Sequence, residues 1–233
     1  GAFRGEAAAS SPSTPTLSFQ GLVNSATGQP RVAPGSLASL FGTNLSAAPA
    51  SAVAPLPTTL AGATVTLNEQ PCPLLAVTPT QIDLQLPFNL PTGPVTLRVS
   101  NGAETSAPMV VQVDAVAPGL FRVVNSAGAV VDANNPARIG DTIILFATGL
   151  GAVTPATAAG AAAGASTANS TVRVLVAGTE LPPSYAGLAP GTAGLYQVNV
   201  PLPANLAVPA TVPVSILADG QASNALAIAL RAP

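Results

Sequence analysis

The stretch that decides the fold is Pro34–Ser46, PGSLASLFGTNLS, because the chain contains it a second time. The second copy is Ile139–Gly151, IGDTIILFATGLG. Five residues recur in register, in the pairs Gly35/Gly140, Leu40/Leu145, Phe41/Phe146, Thr43/Thr148 and Leu45/Leu150. A short apolar run closed by small polar residues and glycine is typical of a buried strand that enters a turn. The repetition therefore predicts two copies of one structural unit.

Three further blocks return in the same order. They are VNSA at Val23–Ala26 and Val124–Ala127, QIDLQLP at Gln81–Pro87 and LYQVNVP at Leu195–Pro201, and the hairpin signals Asn101-Gly102 and Asp219-Gly220. The offsets between matched blocks rise along the chain, from 101 to 105, 114 and 118 residues. Matching Pro87 with Pro201 pairs the charged Asp83 with the neutral Gln197. A steadily rising offset predicts one duplicated unit, with small loop insertions in its second copy.

The segments between these signals are short and many alternate in polarity, which favours strands. About seven short strands per unit, with turn signals roughly every 8–12 residues, are typical of an Ig-like antiparallel sandwich. The sequence thus predicts an all-β protein of two tandem Ig-like antiparallel β-sandwich domains from an internal duplication. The predicted bounds are 17–113 and 120–233, with a Pro-Gly joint at 114–119 and an N-terminal tail at 1–16. The Ala-rich segment 156–168 contains glycines that disfavour a helix, and we predict a loop there.

Charge is scarce in this sequence. Charged residues make up 7 % of the chain and the formal net charge is −2, against about 25 % charged residues in typical soluble domains. This balance gives no electrostatic reason to expect nucleic acid or an anionic membrane as a partner. No segment reaches the roughly 18 apolar residues of a membrane helix. The chain begins without an export signal, so we expect any such signal to have been removed already or never to have been present. The composition favours an extracellular or cell-surface location.

The residue types also limit the chemistry. The chain has no His, and all seven of its basic residues are Arg, so a serine or cysteine nucleophile would have no His or Lys as its base. Zinc is excluded by the same lack of ligands. The densest group of oxygen ligands, Asp132, Asn134, Asn135 and Asp141, is less acidic than a calcium loop, and an Asx turn is the prediction there. We therefore predict a protein that is not an enzyme and has no cofactor.

Two further residue types have competing interpretations. The single Cys72 lies between two prolines, and a lone cysteine in this setting is expected to be a buried, metal-free thiol rather than a reactive one. Tyr185 and Tyr196 are candidates for a sugar platform. For Tyr196 a place in the core is favoured, because the block alignment gives it the strand position of Ile82.

Seven ordered motifs resemble one known family. They are APGSLASLFGTNLS, PLPTTLAGATVTLN, VTPTQIDLQLP, APGLF, GDTIILFATGLG, YAGLAPGTAGLYQVNVPLP and GQASN. Together they cover 17–231 and look like the Solibacter-type C-terminal domain family of bacterial secreted proteins. The first motif of each unit is also similar to IPT/TIG-type Ig-like domains. The resemblance implies export and an all-β, Ig-like fold, and it implies no activity or catalytic residue.

Two classes of function remain. The favoured prediction is a structural subunit of an extracellular filament or surface assembly, which polymerises with copies of itself through the tail. Phe3 and Arg4 are the candidate contact residues, because Phe3 is the tail's only aromatic side chain. The scarcity of charge supports this prediction, since contact between subunits would cover weakly polar surface. The alternative is an adhesion or carbohydrate-binding module whose partner is a surface glycan.

Overall fold

The computed structural model describes residues 14–206 and 209–232. Within these ranges the chain contains strands and no helix, which confirms the predicted all-β class. Phe3 and Arg4, the candidate contact residues, lie outside the described residues.

The strands fall on the two sides of the predicted joint. Before it lie β1 (Thr16–Asn24), β2 (Leu37–Thr43), β3 (Ala50–Ser51), β4 (Thr59–Leu60), β5 (Ala63–Leu67), β6 (Gln70–Pro71), β7 (Leu74–Val77), β8 (Gln81–Gln85), β9 (Gly93–Asn101), β10 (Glu104–Thr105) and β11 (Met109–Val113). After it lie β12 (Gly119–Val124), β13 (Ala137–Arg138), β14 (Thr142–Thr148), β15 (Val153–Thr154), β16 (Thr167–Ala168), β17 (Val172–Val176), β18 (Thr179–Leu181), β19 (Tyr185–Leu188), β20 (Tyr196–Pro201), β21 (Thr211–Ala218), β22 (Gln221–Ala222) and β23 (Leu226–Arg231).

Each side of the joint contributes two facing sheets. In the first sandwich, sheet A has the order β1-β2-β8-β7-β3, and sheet B has the order β10-β9-β5-β4 with β11 beside β9 and β6 beside β5. In the second sandwich, sheet C has the order β12-β14-β20-β19-β16-β15, and sheet D has the order β13-β23-β21-β17-β18 with β22 beside β21. The pairs are antiparallel except β13 with β23.

The buried side chains form two hydrophobic cores, one in each sandwich. The first core runs from Leu22 to Val113 and the second from Val116 to Leu230. The change from one core to the other therefore falls inside the predicted joint, where Val116 already belongs to the second core. The exact domain bounds stay predictions.

The duplication is visible in matching hydrogen bonds. Ser106 accepts a bond from the Val99 N–H at 3.1 Å, and Ser223 accepts one from the Ile216 N–H at 2.9 Å. Each serine hydroxyl then donates to the carbonyl of the residue that follows it. Both serines thus stabilise the same irregular exit from a hairpin, one in each sandwich.

The strand register corrects one block alignment. Phe41 pairs with Gln81, and Phe146 pairs with Gln197, so Gln197 is the counterpart of Gln81, and Asp83 corresponds to Asn199 rather than to Gln197. The matched block is LPFNL at 86–90 and LPANL at 202–206, an offset of 116 residues. A shift of two residues leaves every side chain on the same sheet face, so polarity alone does not reveal the error.

The first hairpin turn also differs from its prediction. Asn101 pairs with Glu104, so Gly102 and Ala103 occupy the turn instead of Asn101 and Gly102. The Asn101 side chain is buried and donates from Nδ2 to the carbonyl of Asn44 at 3.0 Å. This bond keeps Asn101 in the strand, while Gly102 takes the positive φ of 61°. The turn predicted at Asp219-Gly220 is confirmed.

Two loop predictions are confirmed. The backbone N–H groups of Asn134 and Asn135 both donate to Oδ1 of Asp132, at 2.8 and 2.9 Å, as an Asx turn requires. The Ala-rich segment 156–168 is a loop up to β16.

Buried polar side chains hold the two sandwiches together at a seam. The Gly160 N–H, at the tip of the Ala-rich loop, donates to Oε1 of Gln85 at 2.7 Å. The Leu37 N–H donates to Oγ1 of Thr148 at 2.7 Å. Phe88 of the first sandwich packs against the second core. Since the bond between Gly160 and Gln85 is buried, and the Thr148 side chain that accepts the other bond is buried too, each bond is costly to break.

The joint itself packs against the repeated motif of the second sandwich. The Ala117 N–H donates to the carbonyl of Gly149 at 2.8 Å, and the Ala117 carbonyl accepts a bond from Nδ2 of Asn24 at 2.8 Å. Gly149 has φ +78°, and a Cβ there would lie 1.8 Å from the Ala117 oxygen. No side chain fits in this space, so the sequence needs glycine at this position.

Replacing Gly149 by alanine should therefore lower the free energy of unfolding by more than about 3 kcal/mol, because a left-handed alanine costs about 1–2 kcal/mol and the overlap adds to it. The matched control is Gly28→Ala, with φ +68° and nothing within 4 Å of the added carbon. This variant should lose only the free energy that a left-handed alanine costs, about 1–2 kcal/mol. Urea unfolding followed by circular dichroism measures both. Equal losses in the two variants would contradict the packing of the joint on Gly149.

Cys72 is fully buried in the first core, as predicted. Burial raises the pKa of the Cys72 thiol to about 12, so little of the reactive thiolate is present at neutral pH.

A thiol-reactive dye at pH 8 should consequently label native protein only as fast as the protein unfolds, and label urea-unfolded protein at once. A non-reducing gel should show no covalent dimer. Rapid labelling of the native protein, or a dimer that dithiothreitol dissolves, would show that Cys72 is accessible.

Candidate functional site

The outward face of β2 and β8 carries a row of polar and aromatic side chains. Along β2 the side chains alternate, so that Leu40 enters the core while Ser39 and Phe41 point outward. On β8, Asp83 lies opposite Ser39, and Gln81 lies opposite Phe41. We call the surface formed by these four outward residues the β2/β8 face.

Hydrogen bonds fix the polar members of this face. The Ser39 hydroxyl donates to Oδ1 of Asp83 at 2.7 Å, and Nε2 of Gln81 donates to the same oxygen at 2.8 Å. A hydroxyl has one hydrogen, so the contact of 3.0 Å between Ser25 and Ser39 must have Ser25 as its donor. Both side-chain bonds to the carboxylate end on Oδ1, so Oδ2 accepts no side-chain hydrogen bond from the described residues.

Two phenylalanine rings border the polar row. Phe41 is 40 % exposed at one end of it. At the other end lies Phe121, which belongs to β12 of the second sandwich. Between Leu120 and Arg122 the pairing advances by two residues on β12 but by only one on β14, so Phe121 lies in a bulge. A β-bulge of this kind redirects a side chain, and Phe121 joins Leu75, Ser39 and Asp83 around an open depression of about 380 Å³.

The corresponding face of the second sandwich has the same plan with different chemistry. Nε2 of Gln197 donates to Oδ1 of Asn199 at 2.9 Å, which repeats the bond between Gln81 and Asp83. The neutral Asn199, however, provides no carboxylate. The Arg122 guanidinium also lies 5.0 Å from the centre of the Phe146 ring and covers it. Of the two equivalent faces, the first therefore combines a carboxylate with an uncovered ring.

Other predicted residues lie elsewhere. Tyr196 is buried in the second core, as favoured, and its hydroxyl donates to the carbonyl of Gly151. Burial raises the pKa of Tyr196 above the usual tyrosine value. Its predicted equivalence to Ile82 is wrong, because Val198 occupies that position in the register. The Tyr185 hydroxyl donates to the carbonyl of Leu188 at 2.8 Å. The two tyrosines therefore do not form a sugar platform.

Part of the β2/β8 face was predicted from the sequence. The alternation in QIDLQL placed Gln81 and Asp83 on a polar face, and the repeated Leu-Phe step marked Phe41. Phe121 was missed, because its position depends on the bulge in β12 and on contact between the sandwiches. The LPFNL and LPANL blocks would have aligned Asp83 with Asn199 correctly.

Within the described residues the chain has neither a cluster of metal ligands nor a membrane-spanning helix. Within 14–206 and 209–232, three or more His, Cys, Asp or Glu side chains nowhere come together as metal ligands would. The same residues include no helix with the length and apolar character needed to cross a membrane.

These features define a protein of two tandem β-sandwiches with a polar and aromatic sheet face at their seam. No family model matches the chain, so its resemblance to the Solibacter-type family stays a prediction. No curated protein matches it either.

The chain is similar to parts of several solved β-rich structures. One is SGBP-B of the Bacteroides ovatus mixed-linkage glucan utilization locus, solved with a mixed-linkage heptasaccharide, at 11 % identity and a TM-score of 0.38, covering 93 % of this chain and 45 % of that one. Another is SGBP-B from a xyloglucan utilization locus of Bacteroides uniformis, at 11 % identity and TM-score 0.29, covering 93 % and 49 %. A third is the plexin A4 extracellular region, at 9 % identity and TM-score 0.34, covering 97 % and 19 %.

The chain thus spans less than half the length of each of these three proteins. Identities and TM-scores this low say nothing about what the present chain binds.

Proposed function

We propose that the chain is a carbohydrate-binding module, exported to the cell surface or its surroundings, that binds a neutral glycan on the β2/β8 face. The observation that carries this proposal is the uncovered Phe41 ring beside an Asp83 carboxylate that Ser39 and Gln81 already hold in place.

The chemistry of a sugar fits this arrangement. A pyranose ring has an apolar face of C–H groups and a rim of hydroxyls. The C–H face packs on the Phe41 ring, while a rim hydroxyl donates to Oδ2 of Asp83. A hydrogen bond to a charged acceptor is about twice as strong as one between neutral groups. Because the carboxylate is fixed before the ligand arrives, little side-chain freedom is lost on binding.

Charge and length narrow the ligand class. The carboxylate would repel an acidic sugar, so the ligand should be neutral. Leu37, at the Phe121 end, and Phe41 are four residues apart on β2, which is roughly 13 Å along a strand. This distance is longer than one sugar ring, and the face should therefore prefer an oligosaccharide to a monosaccharide.

This proposal ranks the binding module ahead of the filament subunit that the sequence favoured. The described residues contain a face with suitable chemistry for a glycan, whereas the tail contacts Phe3 and Arg4 lie outside the described residues. A non-enzymatic role accords with the residue types present, since the chain supplies neither His nor Lys as a catalytic base.

Screening the full chain against neutral and acidic oligosaccharides tests the proposal, followed by calorimetry with the best ligand. Asp83→Asn keeps the shape but removes the charge, and Phe41→Ala removes the ring. Each should weaken binding at least about tenfold, as expected for the loss of a charge-assisted bond or an aromatic contact.

The matched control is Asn199→Ala, which alters the equivalent position of the second sandwich and should leave the affinity unchanged. Circular dichroism verifies that all three variants fold. Failure to bind any neutral oligosaccharide, a preference for acidic ones, or full affinity in Asp83→Asn would each rule the proposal out.

A further inference from the structure

The first sandwich has a second exposed feature, away from the β2/β8 face. Within the described residues β1 pairs with β2, and β11 pairs with β9 and, through a single bridge between Val113 and Val32, with the loop after β1, so each is an edge strand of its sheet. The two edges lie side by side, and a depression of about 310 Å³ between them is lined by Phe19, Leu22, Met109, Val110 and Val111. We call this depression the β1/β11 groove.

Large apolar side chains stand in solvent along this groove. Phe19 is 92 % exposed and Val110 is 71 % exposed. Phe19 points outward because β1 has a large bulge. Between Leu17 and Leu22 the pairing advances by five residues on β1 but by only two residues on β2. The β11 sequence, MVVQV, has no charged residue. Soluble proteins usually protect such edges with charges or proline, because an unprotected edge recruits another strand.

The backbone of β11 has groups available for pairing. The Asp114 N–H donates to the carbonyl of Val32 at 2.9 Å, on the side away from β9. Successive residues of a strand direct their backbone groups to opposite sides. The N–H and C=O of Val110, four residues earlier, consequently point to the open side. Within residues 14–206 and 209–232, the groove therefore combines an apolar surface with a donor and an acceptor that no strand pairs.

We propose that residues 1–13 of a second copy of this chain add a strand to β11 in this groove. The segment GAFRGEAAASSPS has no proline before Pro12, so residues 2–11 can all supply a backbone N–H. In a strand, Phe3, Gly5 and Ala7 share one face, and the charged Arg4 and Glu6 share the other. The first face packs on Phe19 and Val110, while the charges remain in water.

The direction of the chain selects a second copy as the source of the segment. Thr14 donates to Oε2 of Glu104 at 2.8 Å, and Thr14–Phe19 runs beside Ala107–Met109. Followed backward from Phe19 to Thr14, the chain thus runs along the sheet edge toward β10 and out of the groove. Thirteen extended residues reach roughly 43–47 Å, enough to meet a neighbour, whereas filling the groove of the same chain requires an immediate reversal. A contact of this head-to-tail type does not close on itself and continues as a fibre.

The test uses the full chain in sedimentation velocity and negative-stain microscopy over a range of concentrations. Wild type should form linear assemblies that grow with concentration. Val110→Pro removes the open-side N–H but no bond to β9, and Phe19→Ser removes the exposed ring. Each should weaken assembly at least tenfold. The matched control is Val53→Ser, which changes a side chain that is 86 % exposed elsewhere and should leave assembly intact.

A cross-linking experiment distinguishes the two possible sources of the segment. Phe3→Cys protein is mixed with Val110→Cys protein under oxidising conditions, and a disulfide-linked pair of chains is expected. In the chain that carries both cysteine substitutions, a cross-link that forms within one monomer even at high dilution would overturn the proposal. A wild type that stays monomeric, or assembly that persists in both Val110→Pro and Phe19→Ser protein, would overturn it as well. Glycan binding by Phe19→Ser protein is measured in parallel, so that a failure of the groove is separable from a failure of the β2/β8 face.

Discussion

The buried Gln85 side chain is the contact on which the arrangement of the two sandwiches most depends. Its Oε1 accepts the Gly160 N–H at 2.7 Å, and its Nε2 donates to the Gly35 carbonyl at 3.4 Å. Gln85 is 1 % exposed, so losing either partner would leave a polar group unsatisfied away from water. Its counterpart in the second sandwich is Pro201, which has no amide to offer. The two copies have therefore diverged where they meet.

This seam also creates the candidate site. Asn24 bonds the joint through Nδ2, and its Oδ1 accepts the Ala26 N–H in the turn that follows β1 and carries Ser25. Ser25 in turn supports Ser39 of the β2/β8 face. Phe121 reaches the same depression from the second sandwich. The complete face consequently needs both copies in fixed positions, although its charged group belongs to the first copy alone.

Much of this architecture could be predicted from the sequence, because hydrophobic periodicity and turn residues are local signals. The repeated strands around Leu40 and Leu145 and the burial of Cys72 were predicted correctly, and Tyr196 is buried as favoured although the alignment used for it was wrong by two residues. The register of β20 was not predicted correctly, since a shift of two residues preserves the polarity pattern. The bulges that turn Phe19 and Phe121 outward were not predicted either. A bulge depends on how many residues of the partner strand it pairs with, and not on local propensity.

We propose that the β2/β8 face, and not the equivalent face of the second sandwich, binds a neutral oligosaccharide. Chemical-shift mapping of isotope-labelled full chain, titrated with the best ligand from a glycan screen, distinguishes the two faces. We expect the largest changes to cluster on the backbone amides of Ser39, Phe41, Gln81 and Asp83, with a smaller group at Phe121. Changes centred on Phe146 and Asn199, or spread without a cluster, would contradict it.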